Sequence, residues 1–138
     1  MHVTRLAALV LALVLAAGCA RRNGPPAIAV GTACATCGME ANDLRFACER
    51  TDGRRWLVYD SIECLLADRE RGGLTSAWLA DYDRRSLHRA DSLWVVRGEF
   101  LSPMGGGYAA FLSRGAADSV SAETRGYVDR LDAFGVTP

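Results

Sequence analysis

The chain has 138 residues, of which 50% are hydrophobic and 23% are charged, which is enough for one globular domain with a buried core. Its 16 basic residues are all arginines, and 16 acidic residues balance them, so the composition gives no basic face for nucleic acid or an anionic membrane. The only histidines are His2 and His88, which excludes a histidine-rich metal site.

The chain begins with a targeting segment. Arg5 precedes an apolar run, Leu6 to Ala17, that is too short to remain as a membrane-spanning helix. The sequence Leu15-Ala16-Ala17-Gly18-Cys19 matches the lipobox of bacterial lipoproteins, in which the cysteine is diacylated and becomes the first mature residue. We predict a signal peptide over residues 1–18 and a lipid anchor at Cys19, in the cell envelope and facing the periplasm. An ordinary secretory signal with an incidental cysteine is the alternative.

A short tether and a sulfur-rich motif follow the signal. Residues 19–32 contain two prolines and show no periodicity, which predicts a flexible tether. Next, Cys34-Ala35-Thr36-Cys37-Gly38-Met39 brings two thiols and a thioether into six residues. Soft sulfur donors favour Cu(I), zinc or iron–sulfur centres, and a thioether disfavours zinc. Gly38 can take a positive φ that turns both flanking sulfurs toward one point. A Cys34–Cys37 disulfide or a redox dithiol is the alternative.

The rest of the chain predicts two β-β-α-β units, over residues 33–82 and 83–138. The predicted elements of the first unit are strands at 43–50, 54–59 and 76–82 and a helix from Ser61 to about Arg71. Alternating apolar residues indicate a half-buried first strand, and an Asp-Gly turn connects it to the second. Asp60 is the predicted N-cap of the helix, with Glu63 completing a variant of the capping box.

The second unit repeats this pattern after a polar loop. Its predicted elements are a connecting loop at 83–91, strands at 93–97, 108–112 and 126–131, and a helix at 114–125. Between its first two strands lies the glycine-rich loop 102–107, which contains Met104. A buried methionine usually fills a gap in the core, but a loop with three glycines has no core to fill. Met104 is therefore a candidate metal ligand, with a core role as the alternative.

Two further cysteines lie within the first unit. Cys64 falls in the first turn of the predicted helix, where the helix dipole lowers a thiol pKa, so it is a third thiolate or a disulfide partner of Cys48. Cys48 shares a strand face with apolar residues, which favours a core thiol. His88 lies in the predicted polar loop and is interpreted as solvated.

These motifs and their order resemble the NosL-type copper-binding lipoproteins that accompany nitrous oxide reductase. Besides the Cys34–Met39 motif, the resemblance includes Tyr59-Asp60-Ser61-Ile62-Glu63-Cys64-Leu65, Trp78 to Tyr82, Leu93 to Val96 and Ser102-Pro103-Met104-Gly105-x-Gly107-x-x-Ala110-Phe111. It implies an α+β fold of two homologous β-β-α-β subdomains, which the organomercurial lyase MerB also has. It also implies Cu(I) delivery to a periplasmic copper cluster. Cys48 departs from the pattern, since an apolar residue is expected there.

We therefore expect a membrane-anchored periplasmic Cu(I) metallochaperone and not an enzyme. The expected ligands are Cys34, Cys37, Met39, Met104 and Cys64, because thiolates supply affinity and a thioether adds no charge. The expected partner is a copper-accepting periplasmic protein, nitrous oxide reductase by the resemblance, and a homodimer that shares copper is compatible with the sequence. The alternatives are a thiol–disulfide protein that uses the Cys34/Cys37 pair and, by fold analogy, a MerB-like lyase acting on metal–carbon or metal–thiolate bonds.

Overall fold

The computed structural model describes residues 24–68 and 73–134. Its strands are β1 (Thr32–Ala33), β2 (Glu40–Ala41), β3 (Cys48–Thr51), β4 (Trp56–Tyr59), β5 (Ala77–Ala80), β6 (Leu87–Arg89), β7 (Trp94–Arg97), β8 (Tyr108–Phe111) and β9 (Tyr127–Asp129). Its helices are α1 (Ile62–Ala67), α2 (Arg114–Glu123) and α3 (Leu131–Phe134), with 3₁₀ turns at Leu74–Ser76 and Ala90–Ser92. Within these residues, no helix combines the length and the apolar character that crossing a bilayer requires.

Two β-β-α-β units follow each other and share one strand order. In the first unit β3 lies between β4 and β5, and β6 extends the sheet beyond β5. In the second unit β7 lies between β8 and β9. Neighbouring strands within both sheets are antiparallel. This arrangement confirms the α+β fold class that was predicted from the sequence.

Helices α1 and α2 each have a serine N-cap, and in both cases one residue separates this serine from the end of the preceding strand. The Ser61 hydroxyl accepts a hydrogen bond from the Cys64 N–H, and the Ser113 hydroxyl accepts one from the Ala116 N–H, both at 3.3 Å. A side chain that satisfies a free N–H in the first turn is what fixes a helix start. The capping prediction is therefore wrong by one residue, because Ser61 has the extended backbone of an N-cap and leaves the Asp60 carboxylate free for other contacts.

β3 is buried on both faces, whereas the sequence predicted a half-buried strand. Arg50 is fully buried and pairs with Asp68 beyond the end of α1, with 3.1 Å between Nη2 and Oδ2. Glu49 lies on the opposite face and is 1% exposed. Its cross-strand neighbour is Trp78, whose indole ring lies against Gly24. The segment predicted as a tether thus covers part of this face, which the alternation of residues within the strand could not indicate.

Three stretches differ from their predicted structure. The strand predicted at 43–50 begins only at Cys48, because residues 43–46 form a turn in which the Phe46 N–H donates to the Asp43 carbonyl at 3.2 Å. The segment 83–91 was predicted as a loop, but β6 within it pairs with β5, matching Leu87 to Ala80 and His88 to Leu79. It is an edge strand with short polar flanks, which the periodicity of the sequence does not distinguish from a loop. The strand predicted at 126–131 is shorter, and α3 begins at Leu131. The helix predicted to reach Arg71 is described to Ala67, and residues 69–72 lie outside the described part.

The two units pack into one continuous core. Its buried members come from both units: Cys34, Cys48, Tyr59, Ile62, Cys64, Leu65, Ala77, Leu79, Ala90, Leu93, Val95, Ala110 and Leu131. A second cluster includes Val96, Ala109, Phe111 and Ala117 of the second unit together with Phe46. A parallel bridge joins Asp81 to Ala110, and the Asp81 carboxylate accepts the Leu112 N–H at 3.0 Å. Three thiols of the first unit, those of Cys34, Cys48 and Cys64, therefore lie in the core that both units share.

Candidate metal centre

The β1–β2 hairpin folds the two motif cysteines toward each other. The Cys34 N–H donates to the Met39 carbonyl at 2.7 Å, and the Gly38 N–H donates to the Cys34 carbonyl at 3.0 Å. Gly38 has a φ of 76°, which favours glycine because a side chain is strained in that region. The predicted positive φ is confirmed, and the turn returns Cys37 to the side of the loop that holds Cys34.

The same loop is attached to the first unit at both ends of the β4–α1 connection. The Ala35 N–H donates to the Val58 carbonyl of β4 at 2.8 Å. The Thr36 hydroxyl donates to the Cys64 carbonyl in α1 at 2.9 Å. These two bonds hold the hairpin turn beside the first turn of α1, which is where the third thiol lies.

Four ligand atoms converge at this junction. The Sγ atoms of Cys34, Cys37 and Cys64 and a carboxylate oxygen of Asp60 all lie within 4.8 Å of one another. Cys37 is exposed and the other three residues are buried. The Cys37 thiol donates to Asp60 Oδ2 at 3.7 Å, while Asp60 Oδ1 is buried with no hydrogen-bond partner in the described structure. Three thiols and one carboxylate at this spacing form a set of donors that can hold a metal ion.

Desolvation keeps the Cys37 and Cys64 thiols protonated when no metal is bound. The pKa of Cys37 is raised above its ordinary value, chiefly by desolvation and in part by Cys34. The pKa of Cys64 is raised further, first by burial and then by a hydrogen bond to Asp60. The sequence predicted a lowered pKa for Cys64 from the helix dipole. That prediction is wrong, because α1 is short and desolvation outweighs its dipole. Metal binding must therefore release protons from these thiols.

The two methionines are close to half exposed, at 47% for Met39 and 45% for Met104. Met39 and Asp60 line a cleft of about 350 Å³, and Ser102 and Pro103, which directly precede Met104, also line it. The cleft therefore connects the carboxylate of the thiol cluster to the loop that carries Met104. Whether either thioether binds a metal stays a prediction.

The remaining predicted residues lie apart from this group of four. Cys48 is fully buried in the core, and its thiol donates to the Phe46 carbonyl at 3.3 Å. Burial raises its pKa well above the ordinary value, as is typical of an unreactive core thiol. His88 lies on β6, where its ring contacts the Ser86 hydroxyl at 2.9 Å. The described cysteines are all free thiols, so neither a Cys34–Cys37 nor a Cys48–Cys64 disulfide is formed. Cys19 and the lipobox lie outside the described residues.

Sequence reasoning missed Asp60 as a member of the cluster. It was interpreted as the helix cap, the role that Ser61 performs. The order Asp60-Ser61 could have identified Asp60 as a site residue. If the serine is the N-cap of the helix, the carboxylate before it does not cap the helix. A buried carboxylate next to a cysteine then needs a partner.

One comparison with known proteins, the comparison with solved structures, bears on the fold. No protein-family model matches the chain, and no curated protein sequence matches it. The crystal structure of the copper chaperone NosL from Shewanella denitrificans is similar, with a TM-score of 0.61 and 18% sequence identity. The similarity covers 78% of this chain and 96% of that chain. The chain therefore has a NosL-like fold, as its motifs implied.

Proposed function

We propose that this protein is a NosL-type metallochaperone that binds Cu(I) and passes it to a copper-accepting partner. The observation that carries the proposal is the convergence of three thiols within 4.8 Å. Thiolates are soft ligands that select Cu(I), and they occupy a fold that is similar to that of a known copper chaperone.

The burial of the ligands supports both retention and release of the ion. Cys34 and Cys64 are buried at 4% and 3% exposure, so their contacts with an ion are shielded from competing water. Cys37 is exposed, which gives an incoming ion and an acceptor's ligand a place of contact. Because the raised pKa values of Cys37 and Cys64 keep these two thiols protonated beforehand, copper binding exchanges their protons for the ion, and acidification favours release.

A thiol–disulfide function is the second candidate, and the geometry favours it less. A redox-active cysteine usually has a lowered pKa and opens a helix after a strand. Here Cys37 lies in the turn of a β-hairpin, and desolvation raises its pKa. A third thiol, Cys64, is also close to the pair, which suits a metal site better than a two-cysteine redox site. The lyase alternative rests on fold analogy alone, so we do not adopt it.

We further propose that a lipid on Cys19 anchors the protein to a membrane of the cell envelope, so that it faces the periplasm. In this arrangement residues 1–18 are removed, residues 19–32 connect the lipid to the protein, and the subdomains occupy residues 33–82 and 83–138. The proposed recipient is nitrous oxide reductase, by the resemblance to the NosL family. Incubating the Cu(I)-loaded protein with copper-free nitrous oxide reductase should restore the absorption of its copper centres, and no transfer would contradict this recipient.

Titration with Cu(I) tests the proposed copper site. The anaerobically reduced protein should bind one Cu(I), and Cys37→Ser should weaken binding about a hundredfold or more, which is about 2.7 kcal/mol or more. Cys48→Val is the matched control and should change the affinity little, since Cys48 is a core thiol. Loss of binding in Cys48→Val with normal binding in Cys37→Ser would place the copper elsewhere.

Fatty-acid labelling tests the anchor independently of copper. Radiolabelled fatty acid should be incorporated into the wild-type protein, and Cys19→Ser should carry none. Label that persists on the variant, or a wild-type protein that is not found with membranes, would contradict the anchor and leave the copper proposal standing.

A further inference from the structure

The glycine-rich loop of the second unit is fastened to α1 of the first unit by one carboxylate oxygen. Glu63 Oε1 accepts the Ser102 hydroxyl at 2.6 Å and the Gly106 N–H at 3.0 Å. Within the loop, the Ser102 hydroxyl accepts the Gly107 N–H, and the Ser102 carbonyl accepts the Gly105 N–H, both at 3.0 Å. One acceptor thus fixes both ends of the loop around Met104.

The surroundings of Glu63 indicate that this contact is specific. Its second oxygen, Oε2, is buried and has no hydrogen-bond partner in the described part of the chain, which destabilises a carboxylate. A Cβ atom at Gly106 would lie 2.6 Å from the Glu63 Cγ, so only glycine permits the approach. The Glu63 carboxylate is costly to bury, and Gly106 leaves room for it. Together these two observations indicate that the contact has a role.

The fastened loop contacts the helix that carries the third thiol. Glu63 immediately precedes Cys64, so the acceptor of the loop and the third thiol belong to the same helical turn. Ser102 and Pro103 line the same cleft of about 350 Å³ as Asp60 and Met39. The loop is therefore held at the edge of the cleft to which the Asp60 carboxylate contributes.

We propose that Glu63 is a positioning residue that holds the 102–107 loop at this cleft, so that the Met104 thioether can bind the ion held by the thiols. The inference rests on the proposed copper function. Glu63 does not contact the ion in this proposal. It acts on the position of Met104 through its hydrogen bonds to Ser102 and Gly106.

Four variants of the full protein, each loaded with Cu(I), test this role. Glu63→Ala removes the acceptor, and it should weaken Cu(I) binding about tenfold to a hundredfold, as is typical when a supporting contact of a metal ligand is lost. X-ray absorption should show one sulfur neighbour fewer than in the wild type, which a loss of stability alone would not produce. Met104→Leu should show the same loss, and the double variant should be no weaker than either single variant. Glu63→Gln keeps an oxygen acceptor and should restore the sulfur count.

A matched control separates positioning from charge. Glu99→Ala removes an exposed carboxylate from the same β7–β8 connection, where it pairs with Arg125, and it should leave both readouts unchanged. Additive losses in the double variant, or a full sulfur count in Glu63→Ala, would overturn the inference. If Met104→Leu keeps the wild-type sulfur count, the inference also fails, whereas the proposed function fails only if the cysteine variants bind copper normally.

Discussion

The two β-β-α-β units have one scaffold and different contents. In both, the first strand lies at the centre of the three-stranded arrangement, and a serine caps the helix that follows the second strand. Tyr59 and Phe111 end their strands two residues before the caps, which aligns the units position by position. Tyr59 pairs with Cys48, and Phe111 pairs with Trp94.

In this alignment, positions that hold polar groups in the first unit hold apolar groups in the second. The equivalent pairs are Glu49 and Val95, Arg50 and Val96, Asp60 and Leu112, and Cys64 and Ala116. At these positions the second unit therefore has the apolar residues that burial in a core favours. The first unit instead buries polar groups, each of which needs a partner or carries a desolvation cost, and two of them, Asp60 and Cys64, belong to the candidate metal cluster. The comparison teaches that the fold and the site are separable.

Replacing Arg50 should have the largest effect on stability. Arg50→Met removes the guanidinium that pairs with the buried Asp68 carboxylate, and removing one partner of a buried pair costs about 3–5 kcal/mol. Urea unfolding should show this loss in the free energy of unfolding. The double variant Arg50→Met with Asp68→Leu imitates the apolar second unit and should regain most of the stability. A double variant as unstable as the single one would break the comparison.

Glu49 should make the first unit sensitive to pH, unlike Val95 in the second. Burial raises the pKa of Glu49 from an ordinary 4.5 to about 7, so the folded state holds this proton more tightly than the unfolded chain. Its contribution to stability is complete below pH 4.5 and is lost as pH rises through about 7. We expect up to about 3 kcal/mol less stability at high pH, and a flatter profile for Glu49→Gln. Equal profiles for both proteins would contradict the burial of this carboxylate.

Exchanging the ligands between the units should show that only the first binds copper. Cys64→Ala gives the first unit the residue of the second, and it should weaken Cu(I) binding about a hundredfold, or about 2.7 kcal/mol. The reverse change, Ala116→Cys, should add no copper. In the second unit Leu112 occupies the position of the Asp60 carboxylate, and residues 83–93, ahead of its first strand, contain no cysteine. Copper titration of both variants checks this. A second equivalent of copper bound by Ala116→Cys would mean that the scaffold itself forms the site.

The caps should give the smallest effect. Ser61→Ala and Ser113→Ala each remove one hydrogen bond to the first turn, and each should cost about 1 kcal/mol of stability in thermal unfolding. The Ser61 side chain also interacts with the Cys64 thiol and lowers its pKa, in opposition to burial. Ser61→Ala should therefore shift proton release on copper binding to higher pH, while Ser113→Ala should not. Identical proton release in the two variants would remove this distinction between the caps.

The sequence predicted what depends on local pattern. Both β-β-α-β units, the turn at Gly38 and the grouping of soft donors follow from periodicity, turn chemistry and spacing. It could not predict that Glu49 is buried, because the cover comes from Gly24 and Trp78, which are distant in the chain. It also misjudged the pKa of Cys64, since desolvation depends on packing between the hairpin and α1. The participation of Asp60 was hidden by a plausible local role.

The bond from the Thr36 hydroxyl to the Cys64 carbonyl has a consequence for the entropy of metal capture. In an unfolded chain, a ligand from the hairpin and one from α1 would have to close a loop of about 30 residues, at about 3 kcal/mol. In the folded protein this closure is complete before the ion arrives, because the loop is already bound to the helix. The ion then meets ligands that lose little further freedom, so most of the intrinsic strength of its sulfur bonds becomes affinity.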